Sequence, residues 1–344
     1  MSYRIITHQN CLDGFCSAFI FKRYFYKTLG FKLNSKEMQS LPVILIRPED
    51  VDMQNFAFQP SDIVLDLPKP KSPVFFWCDH HSTQKPPTPL PKNYPNNYFW
   101  EQTPSCAGYL IDLAIKEGLK PTKQLLEFKI ASEKIDSATY TKEEILECFF
   151  PQKGSKKPST LLQLETIASL FSTKDDSLNR QIIQTILSQK LDTNPLQSKS
   201  IKKLNPQLFH TARLESLQKW RDCIDTYISY DETSGCVMQD DRKATETRGV
   251  VDRYYSSFKF PQCSYTLHIR IADLKTARIG LGSNIFHKDR CLVNIGKLCK
   301  DVGTKFGEGS GGGHPTVGGT AIKPENADRA IEYILEIFRK AKSS

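Results

Sequence analysis

The sequence predicts an α/β protein: an N-terminal domain on a mostly parallel sheet, a helical connector, and a smaller C-terminal α/β domain. Three observations predict it. Short, continuously apolar runs alternate with helical patterns through the first 140 residues, as strands covered on both faces do. The pattern then turns helical to about residue 230, after which strands and helices alternate again. Finally, 344 residues that are 39% hydrophobic and 25% charged exceed one ordinary domain and can give each part a core. The boundaries read from these shifts are 1–140, 141–230 and 231–344.

In the first part the strand runs are Tyr3–Thr7 (YRIIT), Pro42–Ile46 (PVILI), Ile63–Leu67 (IVLDL) and Val74–Cys78 (VFFWC). Helical segments are Gly14–Tyr26, Cys106–Glu117 and Lys123–Lys134. In such sheets ligands gather at the carboxyl ends of the strands. From Thr141 to Ile228 the pattern is helical, interrupted by Pro151–Pro158 and Asp192–Lys199. Its last helix has Asn205 to cap it, Pro206 in its first turn, and Leu214, Leu217, Ile224 and Ile228 on one stripe. The last part reads as strands Tyr265–Ala272 and Ala277–Leu281, a helix near Leu292–Lys305, a strand Thr320–Ile322 and a helix opened by Pro324. Ile331, Ile334, Leu335 and Phe338 give that helix its apolar face. Eight of the 18 glycines lie between Gly303 and Gly319, around His314. Such a run is a flexible linker or a loop whose backbone N–H groups hold an anion; the strand and helix that follow at once favour the loop.

Composition narrows the class. Mean hydropathy is −0.42, and no window holds the roughly 18 apolar residues of a membrane span. The start, MSYRIITHQN, runs into a polar, Asp-containing loop, unlike a signal peptide. Ten scattered cysteines form no C-x-x-C pair, which argues against a zinc module or disulfide framework and for the cytoplasm. Lys and Arg number 47 against 38 Asp and Glu, and residues 151–220 hold 11 basic and 5 acidic side chains. That excess suits a polyanionic partner or an ordinary solvated helical face.

The histidines focus the functional question. His210, His268 and His287 stand in no motif, but four of the seven do. His8 and Asp13 lie five apart between the first strand and first helix, where both can turn toward one point above the sheet. Asp66 ends an apolar strand, which is costly unless it caps a turn, is paired, or meets a cation. Asp79, His80 and His81 follow VFFWC directly, and packing alone does not explain three polar groups there. Asp136 closes a helical segment, where an acid opposes the macrodipole and a nearby cation would compensate.

This order, His8…Asp13-Gly14, Asp66, Asp79-His80-His81 and Asp136, resembles the four motifs of the DHH phosphoesterase superfamily. The Gly311-Gly312-Gly313-His314 stretch resembles the loop of the associated C-terminal domain, a pairing found in RecJ-like exonucleases, oligoribonucleases and cyclic-dinucleotide phosphodiesterases. The resemblance spans residues 3–140 and 264–322. It implies an active site in the interdomain cleft with two divalent ions, ordinarily Mn²⁺, with Mg²⁺, Co²⁺ or Zn²⁺ as alternatives. Their ligands would be His8, Asp13, a bridging Asp66, His80 and Asp136. Asp79 would orient a ligand histidine, His81 would contact the scissile phosphate, and Gly312, Gly313 and His314 would grip the substrate. Such a site generates hydroxide and clamps an in-line displacement at phosphorus.

The activity so implied is hydrolysis of short single-stranded nucleic acid. A cyclic-dinucleotide or mononucleotide phosphodiesterase is the alternative, and a catalytically degraded nucleotide-binding protein the second. Tyr254, Tyr255 and Phe258 are available either to stack bases or to fill a core. Two positions depart from the family pattern. Its first motif carries two acids spaced D-x-D, and here the first is Cys11. Relatives carry an Arg before the glycine loop where this chain has Gly280-Leu281-Gly282-Ser283, leaving Arg270 and Arg278 as substitutes.

Overall fold

A computed structural model describes residues 3–25, 33–150, 158–171, 183, 187, 199–242 and 252–343. The loops expected at 151–158 and 192–199 lie, but for their last residues, outside these. The chain divides into two compact units, residues 1–139 with 152–213, and residues 140–151 with 214–344.

The first unit runs β1 (Arg4–His8), α1 (Leu12–Tyr24), α2 (Ser35–Gln39), β2 (Val43–Ile46), α3 (Pro48–Asp52), β3 (Asp62–Leu65), β4 (Phe76–Asp79), β5 (Tyr98–Trp100), α4 (Cys106–Lys116) and α5 (Lys123–Ser137). Helix α6 (Lys142–Phe149) belongs to the second unit, and α7 (Thr160–Ala168) and α8 (Lys199–Lys203) to the first; the dividing line falls within α9 (Pro206–Ile224). The five strands form an all-parallel sheet of order β2-β1-β3-β4-β5. Ile5, Ile6, Ile63, Val64, Phe76 and Trp77 are fully buried, the burial on both faces that their unbroken apolar runs predict.

Register sets the functional edge. Thr7 lies opposite Leu65, and Leu65 opposite Cys78. The next residues along these three adjacent parallel strands, His8, Asp66 and Asp79, therefore emerge side by side. Strand order also reverses between β1 and β3, which opens a crevice at the carboxyl edge. Strand β5 was not legible: three half-buried residues are too few to show alternation.

The second unit continues with β6 (Ile228–Asp231), β7 (Cys236–Asp240), α10 (Tyr255–Lys259), β8 (Tyr265–Ile271), β9 (Ala277–Ser283), α11 (Ile295–Phe306), β10 (Gly311–His314), β11 (Val317–Ile322) and α12 (Ala327–Ser343). Its mixed sheet has the order β10-β11-β9-β8-β7-β6. Tyr265, Leu267, Ile269, Ile279 and Leu281 share a core with α11 and α12, and Tyr265 stacks on Phe338 at 3.9 Å between ring centroids. Tyr254, one of the aromatic residues weighed for base stacking, packs instead against Tyr140 and Phe149.

Two local expectations are corrected. The glycine run is not a loop at 311–319 but an antiparallel hairpin, Gly311 opposite Thr320 and Gly313 opposite Gly318. Glycine is needed because the hairpin lies directly on α11: a Cβ on Gly303 would fall 1.7 Å from the Ser310 carbonyl oxygen, and one on Gly311 2.4 Å from that of Cys299. Asn205 directly precedes α9, its carbonyl accepting from the Leu208 N–H, and at φ 49 it is also the left-handed residue that stops α8, its N–H bonded to the Lys202 carbonyl. Ile228 opens β6 instead of extending the helical stripe.

Candidate metal centre

Within the first unit, all five expected ligands come from segments that end or begin at the carboxyl edge of the parallel sheet. His8 ends β1. Asp66 follows β3 with φ 55, a left-handed turn that swings its carboxylate back toward its neighbours. Its own N–H still pairs with the Cys78 carbonyl, and Trp77 Nε1, donating to the Leu67 carbonyl at 2.9 Å, pins the chain beyond it. Asp13 lies in the first turn of α1, which packs so closely that a Cβ on Gly14 would sit 2.7 Å from the His8 carbonyl oxygen. Asp136 occupies the last turn of α5, which the left-handed Ala138 terminates.

These groups converge. His80 Nε2 lies 3.4 Å from Asp136 Oδ2, 3.6 Å from Asp66 Oδ1 and 3.7 Å from Asp13 Oδ2. His8 Nδ1 lies 3.6 Å from Asp66 Oδ2. Three groups of donors fall within 4.8 Å of one another: His8, Cys11 and Asp66; Asp13, His80 and Asp136; and Asp66 with Asp79, His80 and His81. Asp66 belongs to two of them and lies between His8 and His80.

The surroundings fix the donors. His80 Nδ1 donates to the Thr103 carbonyl at 2.9 Å, which turns Nε2 toward the carboxylates. Asp13 accepts from the N–H groups of Cys106 and Ala107 at 2.7 and 3.0 Å, a carboxylate at the amino end of α4. Asp79, fully buried, bonds His81 Nδ1 at 2.8 Å. It therefore positions His81, while His80, the expected ligand, is oriented by the Thr103 carbonyl. Trp100 Nε1 donates to the His81 carbonyl at 2.8 Å and holds that turn. Thr103 and Trp100 escaped sequence reasoning because one acts through a carbonyl and the other stands on the unread strand.

Electrostatics show carboxylates crowded beyond what imidazoles can balance. Burial raises Asp13 and Asp136, and the Asp66 charge raises both further, Asp136 to about 6. Burial also opposes ionisation of Asp66, but His8 and His80 hold it well below the ordinary carboxylate range. Burial disfavours a proton on His80, yet Asp66, Asp13 and Asp136 push it up to about 11. Asp66 is 1% exposed, and among the described residues neither of its oxygens nor His80 Nε2 has a hydrogen-bond partner. Buried polar atoms left this way are costly, and a divalent cation satisfies them together. Donors about 2.1 Å from one cation lie about 3 to 4 Å apart, as these do. The residues fit a cation.

In the second unit, His268, Arg270, Arg278 and Gly280 lie on the sheet face away from the core, because alternate strand residues point oppositely. Arg270 stands opposite Arg278. With Arg253, Gly311 and Gly319 they line a cavity of about 600 Å³. Like charges directly opposite on adjacent strands are destabilising unless an anion joins them. Gly312, Gly313 and His314 follow Gly311 on β10.

The two-unit α/β fold is similar to that of solved structures that include a DHH domain and RecJ. A pGpG-specific phosphodiesterase, PggH from Vibrio cholerae, superposes with a TM-score of 0.65 at 18% identity, over 99% of this chain and 100% of that one. RecJ from Thermus thermophilus in complex with Mn²⁺ superposes with a TM-score of 0.56 at 12% identity, over 98% of this chain and 52% of that one. An exonuclease RecJ bound to manganese gives 0.54 at 11% identity, over 98% and 90%. No model of a known protein family and no curated protein matches the sequence.

Proposed function

We propose that this protein is a divalent-metal-dependent phosphodiesterase that hydrolyses short single-stranded nucleic acid, down to dinucleotides. The observation that carries the reading is Asp66, buried between two sets of imidazole and carboxylate donors with both oxygens unsatisfied. His8, Asp13, Asp66, His80 and Asp136 would hold the cations, and oxygen with imidazole ligation suits Mn²⁺ or Mg²⁺ as well as Co²⁺ or Zn²⁺. Cations bound there supply the positive charge that polarises a phosphoryl oxygen and acidifies a water.

The chain's own groups do the rest. Asp79 fixes His81 through Nδ1, so Nε2 is the nitrogen that would donate to a phosphoryl oxygen as charge develops. The Arg270–Arg278 pair on the open face of the second sheet supplies the fixed positive charge that a second phosphate needs. Gly312, Gly313 and His314 would contribute substrate contacts from the second unit. The full-length likeness to a pGpG-specific enzyme supports a very short substrate; a cyclic-dinucleotide phosphodiesterase is the alternative.

Turnover of a linear dinucleotide, a longer single strand and a cyclic dinucleotide tests this directly. Linear substrates should be cleaved with Mn²⁺, Mg²⁺, Co²⁺ or Zn²⁺ present, and His80→Ala or Asp136→Ala should lower the rate by about a hundredfold or more. Near-normal turnover in either variant would overturn the ligand assignment. Preference for the cyclic substrate selects the alternative, and binding without turnover in all four cations reduces the protein to a nucleotide-binding module.

A further inference from the structure

Cys11 occupies the N-cap position of α1, with extended backbone (φ −115, ψ 130), its carbonyl accepting from the Phe15 N–H. Serine, threonine, aspartate and asparagine dominate at that position because their side chains accept a hydrogen bond from the first turn. Cysteine is poor at this: Cys11 makes no full side-chain cap bond, although the Gly14 N–H faces its sulfur closely enough to favour the thiolate. A serine or aspartate would fill that local role better, so helix capping alone is a weak reason for a cysteine here. Its sulfur instead falls within 4.8 Å of donor atoms of His8 and Asp66. Asp66 supplies an independent observation: a carboxylate 1% exposed, both oxygens without a hydrogen-bond partner among the described residues, with Oδ2 on the His8 side.

We propose that His8, Cys11 and Asp66 form a nitrogen–sulfur–oxygen site for a borderline divalent cation, Zn²⁺ or Co²⁺ in preference to Mn²⁺, with the Cys11 thiolate as a ligand. Thiolate is a soft donor that Mn²⁺ and Mg²⁺ disfavour, whereas zinc and cobalt accept mixed imidazole, thiolate and carboxylate sets. When the cation binds, the Cys11 S–H proton passes to solvent, a sulfur lone pair forms the S–metal bond, and no oxidation state changes. The neighbouring set of Asp13, His80 and Asp136 contains no sulfur, so the two halves of the centre differ in the cation they select. The inference rests on reading this cluster as a cation site and adds the identity of one of its ions.

Titrating the metal-free full chain with Co²⁺ tests it without reference to activity. The wild type should develop a near-ultraviolet thiolate-to-cobalt charge-transfer band. Cys11→Ser should lose the band, and Cys223→Ser should keep it. Serine caps helices well, so metal-free Cys11→Ser should melt no lower than the wild type. By calorimetry Cys11→Ser should weaken Zn²⁺ binding about tenfold or more while changing Mn²⁺ binding far less, and Cys11→Asp should strengthen Mn²⁺ binding about tenfold. Calorimetric Co²⁺ binding without the band, or a band that survives in Cys11→Ser, overturns the proposal. A Cys11-dependent band in a protein that hydrolyses no phosphodiester sustains it and removes the enzymatic reading. Turnover with Mn²⁺ in a protein whose bound Co²⁺ gives no band does the reverse, and absence of any cobalt binding overturns the proposal and leaves the enzymatic reading to turnover with Mn²⁺.

Discussion

At the scale of single residues, Asp66 concentrates the cost of this centre. A left-handed non-glycine residue costs about 1 to 2 kcal/mol, and a buried carboxylate whose oxygens accept no hydrogen bond adds to it. In the metal-free protein the partial compensation is electrostatic: the Asp66 charge is one of three that hold a proton on His80 up to about pH 11. Asp66→Asn removes one of the three carboxylates around Nε2, so the His80 pKa should fall by at least about one unit toward its ordinary value. Imidazole titration by nuclear magnetic resonance in the metal-free variant measures this; an unchanged value would show that Asp13 and Asp136 alone hold the proton. These side chains were legible in the sequence because acids and histidines after apolar runs lack a packing rationale. Which histidine Asp79 serves was not, since it could bond either neighbour; it bonds His81, and the Thr103 carbonyl, 23 positions away, bonds His80.

Among elements, legibility followed the source of stability. β1 to β4 announce themselves because strands buried on both faces must be apolar throughout. The β10–β11 hairpin hides because glycine has no side chain to show a period, and its glycines serve close approach to α11. Gly303 carries the tightest contact, the Ser310 carbonyl 1.7 Å from a virtual Cβ, with Thr320 Oγ1 at 2.5 Å. Thr320 Oγ1 also donates to that same carbonyl at 2.7 Å. Gly303→Ala must therefore push the hairpin off the helix and stretch this bond. The expected loss is about 1 to 3 kcal/mol of stability, typical of overpacking. Urea denaturation of the full chain checks it. A midpoint equal to the wild type would mean that the hairpin moves away from α11 at no cost, and that its glycines have another purpose.

Across the whole molecule, membership of a unit does not follow chain order: the chain enters the second unit at Tyr140, returns at Gln152 and leaves the first again after Arg213. Composition is local, whereas membership of a unit depends on long-range packing. Every proposed cation ligand falls within residues 1–139 of the first unit, so cation binding is linked to that unit's folding and to its protons. A cation at one hundred times its dissociation constant stabilises the native state by about 2.7 kcal/mol. In the metal-free state His80, with its pKa pushed to about 11, carries a proton at neutral pH, and Asp136, near 6, gains one as the solution is acidified. Both sites must be deprotonated to bind a cation. As pH rises from about 6 to 9 the displaced His80 proton becomes cheaper to lose, so apparent affinity should climb about tenfold per pH unit. Below pH 6 the second proton on Asp136 should steepen that slope. Calorimetry in two buffers of different ionisation enthalpy reads the protons released, with at least about one expected per cation at pH 7. Binding that releases none and does not vary with pH would mean that the cation sits elsewhere and leaves His80 protonated.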